Sequence, residues 1–228
     1  MELTDEVPMN QQEMAEIARA RASFCVFLNV HFTTLPDLEF VGRIRECEFL
    51  CALDALAEDS CAPEIAAGAS LMAGFIRSTL NSSAAALSEM LGVDRTRLYR
   101  GVSPAYGPPP PCEAVWNGQT SDTATVLKAL ADVYVAAGMA MSSDARERLD
   151  YIGIELEFLR MLALRELEAW EAGQEANAKS LLRQQSKFVG EHLVHWVPAF
   201  VERALTQAET DFYRGHMRML LGFLDDEQ

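Results

Sequence analysis

The chain has 228 residues, half of them hydrophobic, enough to bury a substantial core, and a single domain spanning 1–228 is expected. Its formal charge of −15 excludes nucleic acid, whose phosphates demand a basic face, and disfavours a polybasic contact with an anionic membrane. A basic peptide or protein segment is the electrostatically natural partner.

The opening MELTDEVPMNQQEM is acidic and polar and lacks the charged-then-apolar pattern of a signal peptide. No apolar run reaches membrane-spanning length. The cysteines Cys25, Cys47, Cys51, Cys61 and Cys112 contain no CxxC pair, so a soluble, cytoplasmic protein without a disulfide framework is expected.

Helical periodicity then runs from end to end. Residues 10–32 space Met14, Ile17, Ala18, Phe24, Phe27 and Leu28 at three and four, which predicts a first helix. Pro36 stops it and Asp37 is the N-cap of a second, over 38–57. A third begins near Pro63, and a fourth over 82–91 ends at Gly92, a residue suited to a C-cap. The pattern breaks at GVSPAYGPPPPCEAVWNG (101–118), where the prolines remove donors and exclude helix and central strand. Apolar RLY before it and AVW within it predict an ordered loop lying on the helices. Helices resume over 121–138, 143–172, 175–195, 198–208 and 210–224. The expectation is an all-α bundle of about 9–12 helices with one long proline-rich loop.

The segment ERLDYIGIELEF (147–158) sets Glu147, Asp150, Glu155 and Glu157 into an apolar helix. On a helical wheel Asp150 and Glu157 share a narrow polar stripe two turns long, flanked by Glu147. A solvated face is the plain reading of that stripe; a docking surface for a basic partner is the sharper one. Glu155 falls inside the apolar arc and is expected to be a structural buried carboxylate, needing an Arg, a Lys or a hydrogen-bond network.

Spacing yields no enzyme. The chain has no Glu-x-x-His for a di-metal site, and EHLVHW (191–196) sets His192 and His195 three apart in the wrong order for a metalloprotease. Cys47 and Cys51, at i and i+4 with Cys61 nearby, read as buried small hydrophobes before they read as a thiolate site. Phosphate-loop, dinucleotide and nucleophile-elbow motifs are absent, so no catalytic residue, metal or cofactor is expected.

Three pieces in order, GVDRTRLYRG…PPPPCEAVW (92–116), LDYIGIELEF (149–158) and FVGEHLVHWVPAF (188–200), followed by TDFYRGHM, resemble the TorD/DmsD/NarJ family of cytoplasmic redox-enzyme maturation chaperones. The resemblance covers about residues 20–220. It implies an all-helical, non-enzymatic chaperone that binds the N-terminal segment of a molybdoenzyme catalytic subunit, often a twin-arginine signal peptide, until the cofactor is inserted. A NarJ-like assembly factor for a subunit that is not exported, or a nucleotide- or molybdenum-cofactor-binding helper, are the alternatives, with a plain helical scaffold as the third class. Leu98 and Tyr99 match the pair opening the family's proline loop, and Pro111, Glu113 and Trp116 lie in its P-P-x-E-S-V-[YW] segment, with Cys112 and Ala114 as departures. Glu147 and Asp150 fall in an E-P-x-D-H hinge whose Pro and His are here Arg148 and Tyr151; His192, Trp196 and Pro198 match H-L-x-x-W-x-P. The resemblance thereby implies a peptide site in which Glu147, Asp150 and Glu157 accept from guanidinium groups, Tyr99, Trp116, Tyr151 and Trp196 form apolar walls, Leu98, Pro111, Glu113 and His192 complete the peptide-binding set, and Glu155 locks the helix. A monomer is expected, with helix exchange a low-cost route to a dimer.

Overall fold

A computed structural model describes residues 10–101, 103, 105–117, 122–139 and 148–226. Glu147, one of the expected acidic residues, lies outside them.

The described residues are helical with no strand. In chain order they form α1 (Gln11–Thr33), α2 (Leu38–Ile44), α3 (Cys47–Asp59), α4 (Pro63–Ser78), α5 (Ala84–Tyr99), α6 (Glu113–Trp116), α7 (Thr123–Ala136), α8 (Ile152–Glu171), α9 (Glu175–Phe188), α10 (Val194–Gln207) and α11 (Asp211–Asp226). The caps follow the sequence. Asn10 and Glu13 form a reciprocal capping box on α1, while Asp37, Ser83 and Asp122 accept from backbone N–H groups of α2, α5 and α7. Pro63 opens α4 where its missing donor costs nothing.

Two helix pairs make the frame: α1 lies along α8, and α4 along α11. The second contact depends on glycine. A Cβ on Gly68 would sit 2.5 Å from the Gly215 carbonyl oxygen, and one on Gly215 would crowd the carbonyl oxygen of Gly68. The first is pinned by Glu166, fully buried on α8, which accepts from Arg21 of α1 at 2.8 Å and from Gln185 of α9 at 2.7 Å. Asp94 of α5 anchors the residue that precedes α11 across the fold, accepting from the Thr210 amide at 2.8 Å and the Thr210 hydroxyl at 2.7 Å. One contiguous core runs through both pairs, with Phe32, Tyr99, Phe200, Phe212 and Trp196 among its largest members.

Four boundaries differ from the periodicity. The second helix is divided into α2 and α3 by a turn at Arg45–Glu46, with Glu46 taking the extended N-cap conformation. Helix α5 runs through Gly92 to Tyr99: Gly92 is helical, and Leu98 and Tyr99, both buried, carry the apolar face onward. The proline-rich loop holds the four-residue helix α6 shortly after its last proline. Pro198 lies inside α10 instead of breaking it, and a π-turn (Val189–Leu193) joins α9 to α10 a few residues before the ring. The widened turn and the proline sit together where helices characteristically bend.

Candidate functional site: a buried polar hinge and an open apolar groove

The largest departure from the helical wheel concerns the acidic segment itself. Helix α8 starts at Ile152, with Tyr151 as its N-cap, so Asp150 is not on the helix and shares no stripe with Glu157. The reason is local. Backbone groups of 150–152 pair with the proline loop: the Glu113 amide donates to the Asp150 carbonyl at 2.8 Å and the Ile152 amide to the Pro111 carbonyl at 3.0 Å, around an antiparallel bridge between Cys112 and Tyr151. A residue whose carbonyl serves the loop has left the helical ladder.

Asp150 is fully buried and acts inside this junction. Its carboxylate accepts bidentately from Arg148 at 2.9 and 2.7 Å and from the Ala114 amide at 3.1 Å. The short helix α6 has no side-chain cap of its own. Asp150 thus supplies that cap from the other side of the junction, with its negative charge at the helix N-terminus. Glu113, 4 % exposed, faces the other way, where it meets His192 Nδ1 at 3.0 Å and accepts from Asn117 at 2.9 Å. His192 stands on the π-turn, which turns it toward the loop. Trp116 donates from its indole to the Pro110 carbonyl at 3.0 Å and meets Phe200 edge-on. Tyr151 donates from its hydroxyl to the Phe32 carbonyl at 2.9 Å.

Glu155 is fully buried, as its position in the wheel implies, but among the described residues no Arg or Lys reaches it. Among the described residues neither carboxyl oxygen has a partner of good hydrogen-bond geometry, and the same holds for the fully buried Trp196 indole N–H. Burial first, then the negative charge of Glu113, push its pKa well above the usual carboxylate range; Asp150 adds to the rise, against an opposing pull from the Trp196 indole. Burial, with the charges of Glu113 and Asp150 adding to it, also pushes the Tyr134 phenol up. The protonated acid is the form this site favours.

The structure brings Pro111, Glu113, Trp116, Asp150, Tyr151, His192 and Trp196 to one junction, and it places most of them inside. Leu98 and Trp196 are fully buried, and Tyr99, 2 % exposed, bonds through its hydroxyl to His216 Nδ1 at 2.8 Å within a cage of Phe32, Phe200 and Tyr213. Glu157 is half-exposed and held bidentately by Arg160 at 2.8 and 2.6 Å. Asp150 and Glu157, expected to meet a client's guanidinium groups, are therefore already occupied by the chain's own arginines. A pocket of about 200 Å³ opens beside His192 over Phe158 and Phe188, room for one side chain.

A second region carries no motif. Between α1, α3, α4 and α11 lies an open groove of about 580 Å³, floored by Ile17, Phe24, Leu56, Ile65 and Phe223 with Ala52 and Ala55 as its low wall. Arg21, the cation among its described lining residues, is neutralised by Glu166. Asp59 lines one end, and Glu48 lies on the same face of α3 about 16 Å away by helical rise. Both are exposed. The available signal was the alanine and leucine spacing of α3, which reads equally well as core. Among the described residues no group of three or more His, Cys, Asp or Glu is placed to hold a metal, and no helix is long and apolar enough to cross a membrane.

Comparison with known proteins agrees with the loop and hinge motifs. The profile of the family described as nitrate reductase delta subunit matches residues 58–202, more than half of the chain. A chaperone protein TorD of Vibrio cholerae serotype O1 (strain ATCC 39315 / El Tor Inaba N16961) is 31 % identical over 93 residues, 41 % of each chain. That of strain ATCC 39541 / Classical Ogawa 395 / O395 is 26 % identical over 118 residues, 52 % of each, and that of Photobacterium profundum 28 % over 86 residues, 38 % of each. The chain thus spans about half the length of the curated relatives it matches or less. No solved structure matches it. With its all-helical fold, its proline loop clamped on the hinge and a family profile covering most of the helices between, the chain belongs to the nitrate reductase delta subunit family, the TorD/NarJ group of maturation chaperones.

Proposed function

We propose that this protein is a cytoplasmic, non-enzymatic chaperone that binds the N-terminal segment of a molybdoenzyme catalytic subunit through the groove between α1, α3 and α11. The groove carries the proposal. It is a broad apolar surface with Asp59 at one end and Glu48 beyond it on the same face of α3, so it suits a segment with basic residues beside an apolar run. The span of about 16 Å between Glu48 and Asp59 accommodates about 11 residues of helix, within the length of the apolar region of a signal peptide, about 7–15 residues. Helix-in-groove recognition then takes affinity from apolar burial and orientation from the end charges.

The hinge has a different part in this reading. Glu113, Asp150 and His192 fix the proline loop, so their polar groups are consumed internally and do not read the client. A twin-arginine segment and the tail of a subunit that is not exported differ mainly in the basic flank, which Asp59 and Glu48 meet from exposed positions. Calorimetric titration with a twin-arginine signal peptide, and with the same peptide carrying lysines in place of both arginines, tests the function. Binding of both peptides with at most a few-fold difference supports a groove that reads the apolar run; absence of binding by either contradicts it.

A further inference from the structure

Helix α3 carries a feature that neither the groove nor the hinge uses. Cys47 and Cys51 are both exposed, and their sulfurs lie 3.7 Å apart on the outer face of the helix. The expectation that they are buried small hydrophobes is therefore not met. Cys61, also exposed, follows the end of α3 and stands more than about 12 Å from Cys51 by helical rise, so no three-thiol cluster forms. Cys25 and Cys112 are buried.

We propose that Cys47 and Cys51 form a redox-active dithiol whose substrate is a low-molecular-weight disulfide. The bond is within reach of the first turn of α3. Four helical rises separate the two Cα atoms by about 6 Å, inside the range of about 4.4–6.8 Å that a disulfide spans. Cβ atoms at this spacing stand about 5–6 Å apart, however, and must close to about 4 Å. The backbone of Cys47, the first residue of the helix, therefore has to shift while the sulfurs move from 3.7 Å to about 2.05 Å. The two thiols also have distinct positions. Cys47 is the first residue of α3, and Cys51 lies one turn further in. The Cys51 thiol is pushed up by its hydrogen bond to Cys47, with the negative charge of Asp54 adding to the effect.

The reaction balances as thiol–disulfide exchange. The Cys47 thiolate attacks one sulfur of a small disulfide such as oxidised glutathione, the sulfur–sulfur bond breaks, and one small thiolate leaves. Cys51 gives up its proton and attacks the Cys47 sulfur of the mixed disulfide, which expels the second small thiolate. The two protons from the cysteines end on the two released thiols, the protein pair is oxidised by two electrons, and the small disulfide is reduced by two. A bridge across one turn of helix is exposed and strained, and such disulfides are reversible under mild reduction. Because α3 also supplies Ala52, Ala55 and Leu56 to the groove, the pair sits on the wall of the client site without being part of it.

The test uses the whole protein, equilibrated in reduced and oxidised glutathione and quenched in acid. Cleavage after Glu48 separates Cys47 from Cys51, so a bridge is read as two fragments held together until reduction. The expected result is a mass loss of two hydrogen atoms with these fragments joined, while Cys61 in the same molecules carries a glutathione adduct. Cys51→Ser should leave Cys47 with a persistent adduct, and Cys61→Ser should leave the bridge unchanged. Separate adducts on Cys47 and Cys51 like that on Cys61, a bridge to Cys61, or reduced thiols at both positions in fully oxidised glutathione would each overturn the proposal. None of these results bears on whether the groove binds a client.

Discussion

The hinge and the groove use polarity in opposite ways. At the hinge, Glu113, Asp150 and Glu155 are removed from water and their surroundings are fixed by the chain: Arg148 and the α6 amide for Asp150, His192 and Asn117 for Glu113, burial alone for Glu155. At the groove the charges are few, and the surface between them is alanine, leucine, isoleucine and phenylalanine. A buried charge with satisfied partners specifies one backbone arrangement and cannot also be offered to a ligand without breaking that arrangement. Apolar surface left open, by contrast, is stabilised only when something covers it. On this account the family's signature residues mark where the loop is held, and the client is read by residues with no motif at all.

The comparison breaks most sharply at Asp150. Asp150→Ala removes the cap of α6 and the bidentate acceptor of Arg148. Urea unfolding should show a loss of about 2–4 kcal/mol, the sum of a cap and a charged hydrogen bond, with client affinity of the folded fraction unchanged. A stability change under about 0.5 kcal/mol would show that the junction does not hold the loop.

Ala55→Glu should do the reverse. Ala55 is exposed, so the fold tolerates the change, while a carboxylate placed in the apolar wall must be desolvated when the client binds. The expected loss of affinity is tenfold or more, about 1.4 kcal/mol, with an unchanged unfolding midpoint.

Glu155 sharpens the contrast by its pH dependence. Its folded pKa is raised above the ordinary 4.5, so the folded state holds a proton that the unfolded state releases, and stability falls as pH rises above that value. Glu155→Gln removes this loss. The variant should be more stable than the parent at about pH 7, and the difference should shrink toward zero as pH falls to 4.5. The buried His31 acts with the opposite sign: lowered by burial to about 4, it costs stability as pH falls below 6.5. The difference between parent and variant cancels that shared background. A variant that is less stable than the parent near neutral pH would mean that Glu155 is ionised and paired.

The smallest effect belongs to the groove's rim. Asp59→Asn should weaken binding of a basic client by about 0.5–1 kcal/mol, the range of an exposed ion pair, and the difference should vanish at high salt. An undiminished effect in about 1 M salt would place the charge in a buried contact.

Much of the architecture was legible because helices announce themselves through caps and periodicity. Asn10, Asp37, Ser83 and Pro63 stand at the helix starts, and the apolar spacing of α8 matches its buried face; on α1 only Ala18 and Leu28 of the six spaced residues are buried, while Ile17 and Phe24 line the groove. What periodicity could not show was long-range backbone pairing. Nothing within 147–158 reveals that Pro111 and Glu113 take hydrogen bonds with the backbone of 150–152, so a wheel begun at 147 starts a turn too early and sets Asp150 on a stripe it does not share. Glu155 was legible from the wheel alone, since its place depends only on the helix that contains it. The groove was not, because an alanine facing an open groove and an alanine facing a core occupy the same position in the pattern.

The most direct measurement is calorimetric binding of one twin-arginine signal peptide to the parent, Ala55→Glu and Asp150→Asn proteins, each checked for folding at the working temperature. A groove that reads the client requires a tenfold or greater loss for Ala55→Glu and parental affinity for Asp150→Asn. The reverse order, with Asp150→Asn losing the peptide and Ala55→Glu keeping it, would return the client to the hinge.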